Sequence, residues 1–356
     1  LNQNEPRIIV FDVSGVIESK EPIVVRYGNV TIAGQTAPGA GITLKSRLYG
    51  AYDDSVNNII IRHLRVRPHD FSEISGVAAD QYDALQFSKN SNLIFDHVSV
   101  AFGVDETFDI YSAKDVTVQW SIIQEGSNLG DGAGTHNYGL ISGPEGQRLS
   151  VNNNLFVNNA NRNPAITNGP AEVVNNVIYN ARHGFIHHNP ASGNFNIAGN
   201  YFKQGPNNSL HPFYFDDSYI DAKYFLKDNY VHDPLDPQFP MDQSVDNPWD
   251  IPSYFTLDKP ESVRSATAFD FSTYSSYVSS QAVSSTQAYN TVLAAAGNFP
   301  RDVVDNRDVT ETLTGGGAWG ARIPADLMAG LSATTAPTDS DNDGMPDEWE
   351  QANQLN

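Results

Sequence analysis

Four carboxylates fall within the sixteen residues FDHVSVAFGVDETFDI, Phe95 to Ile110: Asp96, Asp105, Glu106 and Asp109. The nearest Lys is Lys114, and the nearest preceding Arg is Arg67. Negative charge concentrated beside apolar runs faces either water or a cation. Carboxylate oxygens of this kind are the ligands that a hard divalent cation takes.

A second acidic cluster obeys a stricter spacing. DSDNDGMPDEWE, Asp339 to Glu350, fits D-x-D-x-D-G-x5-E, a calcium-loop pattern. Asp339, Asp341 and Asp343 take the first, third and fifth positions, and Gly344 permits the sharp turn at the sixth. The Met345 carbonyl, Asp347 and a bidentate Glu350 would complete the ligand set. The competing reading is a solvated acidic tail. These ligands leave little room for a substrate, so the loop is expected to be structural.

Composition agrees with cation binding. There are 42 acidic against 21 basic residues, a net charge of -21, which repels nucleic acid and anionic membranes. The chain has no Cys, which excludes disulfides, thiolate metal sites and a Cys nucleophile. No apolar run approaches the ~20 residues of a membrane span. LNQNEPRIIVF leads straight into a strand pattern, so the start is expected to be a processed or trimmed end.

The elements that must position these groups repeat along the chain. NIIIRHLRV (58–66), NLIFDHVSV (92–100), DVTVQWSII (115–123), RLSVNNNLF (148–156), AEVVNNVIY (171–179), FNIAGNYF (195–202) and YFLKDNYV (224–231) share one plan. Each alternates apolar residues, turns a polar corner and adds a second apolar pair. Taking Leu64, Val98, Ser121, Asn154, Asn176, Asn200 and Asn229 as corners, the steps run from 22 to 34 residues. Short strands of this kind must stack to bury a face, which makes a parallel β-solenoid. Asn at the last four corners suits a left-handed bend and an amide ladder up the stack. Few Asn-Gly or Asp-Gly hairpin turns separate the strands, which argues against a β-sandwich.

The expected architecture is all-β, a solenoid over 1–235, with an irregular and helical C-terminal extension. Residues 236–330 are expected to pack back on the solenoid, with a helix over Gln281–Ala296 ending at Gly297. A linker (331–338) then leads to the calcium loop (339–356). Asp96 and His97 sit inside the repeat, where a structural hydrogen bond is the expected role. Glu106 is expected to point away from Asp105 along a strand. Asp83, in DQYDALQF, falls one turn before Asp105 and Asp109. Neighbouring turns lie ~4.8 Å apart, so all three could converge on one patch.

At this point the chain resembles the pectate lyases of polysaccharide lyase family 1, a right-handed parallel β-helix family. VFDVSGVI, VTIAGQTAPGAGITL, NNIIIRHLRVRP, DALQF, LIFDHVSVAFGVDE, NANRNP, EVVNNVIYN, GNYFKQGP and FPRDVVDNRDV carry the resemblance, over most of residues 7–325. It implies a secreted enzyme that cleaves polygalacturonate or a related polyuronate by calcium-dependent β-elimination. By that resemblance Asp83, Asp105 and Asp109 match calcium ligands, and Arg162 matches the catalytic arginine. A further ligand position falls near Gln81, with Asp80 as a substitute. A basic substrate-binding position falls around Asn137–Tyr138, and an arginine position falls at Thr167. His136, Tyr138 and His183 are candidates for proton abstraction if Arg162 stabilises the enolate instead. Arg182, His183, His187 and His188 could supply the missing positive charge; a solvated loop is the alternative for the histidines.

Calcium explains how an acidic protein holds an acidic polysaccharide, since the cation bridges them. A monomer is the expected state. Two other functions fit the same architecture. A β-helical glycoside hydrolase would use paired carboxylates such as Asp105 and Asp109. A carbohydrate-binding solenoid would bind without turnover.

Overall fold

A computed structural model describes residues 2–129, 136–207, 210–215, 221–233, 241–245, 260–274, 281–332, 337–341 and 345–354. The repeats form a three-sided parallel β-helix. The first face stacks Val30–Ala33, Asn57–Arg62, Ser91–Asp96, Lys114–Gln119, Gln147–Asn152 and Ala171–Val174 in register. The second stacks Leu48–Gly50, Leu85–Gln86, Glu106–Asp109, Tyr138–Ser142 and Ala165–Asn168. The strand His183–Ala198 pairs with both, joining them into one sixteen-stranded sheet. The third face is a ten-stranded sheet that includes Leu64–Val66, Ser99–Ala101, Ile122–Gln124, Leu155–Val157 and Val177–Tyr179.

Alternation along each strand sends every second side chain inward. Ile61, Phe95, Val118, Val151, Val173 and Ile197 occupy equivalent positions on successive turns and are all buried. Phe87, Phe95 and Phe108 pack edge to face within the same core, at 5.2 and 4.8 Å between ring centres. No strand could bury its apolar side alone.

The corner asparagines form a buried ladder. Asn154 Nδ2 donates to Asn176 Oδ1 at 3.0 Å, Asn176 to Asn200 at 3.0 Å, and Asn200 to Asn229 at 2.9 Å. The left-handed bend, however, falls on the residue before each corner: Asn153, Asn175, Gly199 and Asp228 have φ of 55°, 60°, 68° and 48°. The corner Asn is therefore chosen for its amide, and its predecessor for its backbone. Earlier corners carry His63, His97 and Trp120 at the left-handed position, and these stack in a column.

Three α-helices among the described residues lie beyond the solenoid turns. The first, α1 (Ser285–Ala295), begins at a Ser284 cap and is followed by Gly297 at φ 88°. The second, α2 (Val303–Thr314), is capped by Asp302 and closed by Gly315 at φ 88°. It docks on the third face through fully buried Arg67, which meets Asp302 at 3.1 Å and Asp305 at 2.7 Å. Met241–Val245, inside a stretch read as irregular, pairs antiparallel with Asn229–Asp233.

Candidate active site

Parallel register lines up the starts of the second-face strands, and the candidate residues sit on those starts. Asp83 precedes Leu85–Gln86, Asp105 and Glu106 open Glu106–Asp109, and Tyr138 opens the next strand opposite Glu106. Tyr138 in turn bridges to Asn161, beside Arg162. Arg182 and His183 follow on the next turn. Residues far apart in sequence thus become a row with one strand spacing between neighbours.

Asp83, Asp105 and Glu106 bring one carboxylate oxygen each to within 4.8 Å of one another. Asp83 is buried and accepts a hydrogen bond from the Glu106 backbone N–H at 2.8 Å. Burial, and then the carboxylates of Asp109 and Asp105, push its pKa well above the usual carboxylate range. Asp105 is raised too: burial outweighs the opposing pull of His136 and Arg162. These groups resist ionising together, which is the condition a divalent cation relieves.

The sequence reading sent Glu106 away from this patch and placed Asp109 in it. Glu106 turns in because the chain bends just before the strand, where Val104 N–H and Asp105 N–H both donate to the Tyr82 carbonyl. Simple alternation does not apply across that bend. Asp109 sits alongside, its carboxylate accepting from Gln86 Nε2 at 3.0 Å, Ser88 Oγ at 3.3 Å and the Tyr111 N–H. Gln81 and Asp80 are both exposed. Asp80 is near enough to raise Asp105.

Arg162 has φ 60° and pairs through Nη1 with Glu106 Oε1. Its guanidinium lies 4.0 Å from the centre of the Tyr138 ring. Burial lowers its pKa to about 10, against the opposing attraction of Asp105 and Asp83. It remains a cation at neutral pH. His136 also stacks on Tyr138, at 4.6 Å between ring centres, with Nδ1 2.6 Å from Asp105 Oδ1.

Asn137 does not face the row. It is buried, and its amide donates to the Gly126 carbonyl at 2.5 Å and to Asn128 at 3.1 Å, and accepts from the Ala160 N–H. These bonds hold the turn and leave nothing for a ligand. Thr167 is likewise buried. One turn on, the Asn161 amide bridges Arg182 Nη2 at 2.9 Å and His183 Nδ1 at 3.0 Å, in the orientation that satisfies both. Burial, then Arg182 and His211, lower the His183 pKa to about 4. His183 is therefore neutral near pH 7, and of this pair only Arg182 supplies positive charge. The side chains of His187 and His188 lie outside the described residues.

Asp96 lies elsewhere, between Arg62 Nε and His97 Nδ1, each at 2.7 Å. His63 and His97 stack with planes 13° apart, and with Asp96 they bring one ligand atom each to within 4.8 Å of one another. In the terminal loop, Asp347 accepts from Ser340 N–H and Oγ, both at 2.7 Å, at the start of a helix α3 (Asp347–Asn353). Glu350 is buried, Asp341 is exposed and Asp339 is partly exposed. Asp343 and Gly344 lie outside the described residues.

No family model matches the chain. It is 33% identical over 353 residues to a probable pectate lyase C of Aspergillus fumigatus, covering 97% of this chain and 76% of that protein. The corresponding protein of Aspergillus flavus is 34% identical over 352 residues, with the same coverage. Among solved structures, the major cedar-pollen allergen jun a 1 superposes with a TM-score of 0.56 at 16% identity, over 82% of this chain and 80% of that one. A pectate lyase bound to a hexasaccharide superposes with a TM-score of 0.52 at 11% identity, over 78% and 69%.

Proposed function

This chain belongs to the pectate lyase family, and from that premise we propose that it cleaves polygalacturonate by a calcium-dependent β-elimination centred on Arg162. The observation that carries the reading is the row itself: a buried carboxylate group, an arginine held over an aromatic ring, and a second arginine one turn away. Asp83, Asp105 and Glu106, with Asp109 beside them, are a hard-oxygen donor set and fit calcium. Bound there, calcium would neutralise the uronate carboxylate and the charge that builds when the proton on C5 is removed.

The protein's own groups do the rest. Arg162 remains protonated near neutral pH and offers its guanidinium to the enolate-like oxygens. Tyr138 supplies a ring against which the guanidinium is oriented. Arg182 holds the neighbouring uronate carboxylate, taking over from the cationic positions occupied by Tyr138 and Thr167. His136, oriented through Nδ1 by Asp105, keeps Nε2 as the proton acceptor within the row. The one acceptor nitrogen of neutral His183 is taken by the Asn161 amide. Every one of these residues comes from one chain, so a monomer suffices. A polymeric substrate of this size is met outside the cell, which assigns the protein to the secreted class.

We assign a second calcium to Asp339, Asp341, Asp343, Asp347 and Glu350, in a structural role. The test of the main reading is ultraviolet absorbance of unsaturated uronide. Incubation with polygalacturonate and calcium should give a rise that chelator abolishes. New reducing ends without that absorbance would mean hydrolysis, and binding without either product would mean a carbohydrate-binding module.

A further inference from the structure

Glu106 has two claimants. Its carboxylate belongs to the group formed with Asp83 and Asp105, and it also pairs with Arg162. The pair is largely shielded, with Glu106 4% and Arg162 22% exposed at the side chain. A divalent cation among those oxygens would stand a few ångströms from the guanidinium, and like charges so placed repel strongly where water screens them little. The Glu106–Arg162 pair cannot keep its full strength beside such a cation.

The same guanidinium is needed by the substrate. A uronate carboxylate accepts best from a free, fork-shaped donor. Arg162 paired with Glu106 is neutralised, and an incoming anion would have to displace a carboxylate that is already buried and in place. Exchange becomes favourable when Glu106 gains another partner.

We propose that Glu106 is a positioning residue that couples cation binding to the release of Arg162. At low calcium Glu106 holds Arg162 over Tyr138. At high calcium Glu106 turns to the cation and frees the guanidinium for the substrate carboxylate. Binding is thereby ordered, with cation first and polysaccharide second. The inference rests on the reading of Asp83, Asp105 and Glu106 as a cation site.

The test measures binding to the full chain by calorimetry, with calcium and with saturated trigalacturonate as probes. Wild-type protein should bind trigalacturonate only with calcium present. Glu106→Gln, which preserves shape, should lose calcium affinity roughly tenfold or more. It should also gain trigalacturonate binding in chelator, because Arg162 is no longer held. Loss of calcium affinity without that gain would make Glu106 an ordinary ligand and overturn the coupling. A gain without loss of calcium affinity would make it only an anchor for Arg162, and would overturn it too. Should Glu106→Gln fail to fold, Arg162→Gln decides: calcium affinity should rise when the competitor for Glu106 is removed, and no rise refutes the proposal. The terminal loop contributes equally to every variant. Failure of the underlying site is seen separately, as calcium binding unchanged by Asp83→Asn.

Discussion

Asn176→Ala should be among the most damaging single substitutions in the chain, although it removes one small polar side chain. Asn176 is fully buried in the corner ladder. Its Nδ2 donates to the Val151 carbonyl at 2.9 Å and to Asn200 Oδ1 at 3.0 Å. Its Oδ1 accepts from Asn154 N–H at 2.9 Å and Asn154 Nδ2 at 3.0 Å. After truncation, Asn154 Nδ2 keeps the Val118 carbonyl and Asn200 Oδ1 keeps the Asn176 N–H. The Asn154 N–H and the Val151 carbonyl lose this partner inside the wall of the solenoid. At about 1–3 kcal/mol for each of these two groups, the loss should reach about 2–6 kcal/mol. That is a large part of the 5–15 kcal/mol, roughly, that holds a domain together. Asn92→Ala is the control. Asn92 donates to Asn58 at 3.0 Å in a similar ladder, but on the exposed edge. Water replaces that partner, so what remains is the cost of Ala at the left-handed φ of 54°, about 1 kcal/mol. Urea unfolding followed by circular dichroism reads both. Equal losses for the two variants, or a loss below about 1 kcal/mol for Asn176→Ala, would refute the view that buried amides hold the turns in register.

Three further outcomes are expected. Arg162→Ala should reduce β-elimination by roughly 100-fold or more with circular dichroism unchanged; near-wild-type turnover would remove Arg162 from the chemistry. Asp341→Ala should lower the melting temperature in calcium and leave turnover intact, and a folded variant with greatly reduced turnover would overturn the structural role of the terminal loop. His63 has its pKa lowered to about 4 by burial and then by stacked His97, with Asp96 opposing and Arg62 reinforcing. Between that value and the ordinary 6.5 the unfolded chain takes up the proton more readily. Stability from this group is therefore complete above about pH 6.5 and falls as the pH drops toward 4. Melting curves across that window should flatten in His63→Gln, and an unchanged slope would show that other groups carry the pH dependence.

The solenoid was legible in sequence because stacking imposes a pattern every turn must repeat: apolar alternation, a corner, a second apolar pair. Helix α2 was not read as a helix, for a physical reason. Its buried side includes Asp305 and Asp308 beside Val304 and Val309, so it lacks the apolar stripe that marks a helix. Those carboxylates are buried against arginines from elsewhere: Arg67 meets Asp305 at 2.7 Å, and Arg322 meets Asp308 at 3.0 Å. Only the Asp302 cap and Gly315 marked its ends. The charge in FDHVSVAFGVDETFDI has the same explanation. Asp96 is answered by Arg62 and His97, Asp105 by His136, Glu106 by Arg162, and Asp109 by Gln86 and Ser88. Apart from His97, which adjoins Asp96, and Arg162, which lies two turns and 56 residues from Glu106, these partners stand on neighbouring turns. A solenoid converts sequence distance into a strand spacing. Local charge counts therefore misjudge which carboxylates are compensated, and the group that still shares its counter-charge, Asp83 with Asp105 and Glu106 around one arginine, is where a cation has most to offer.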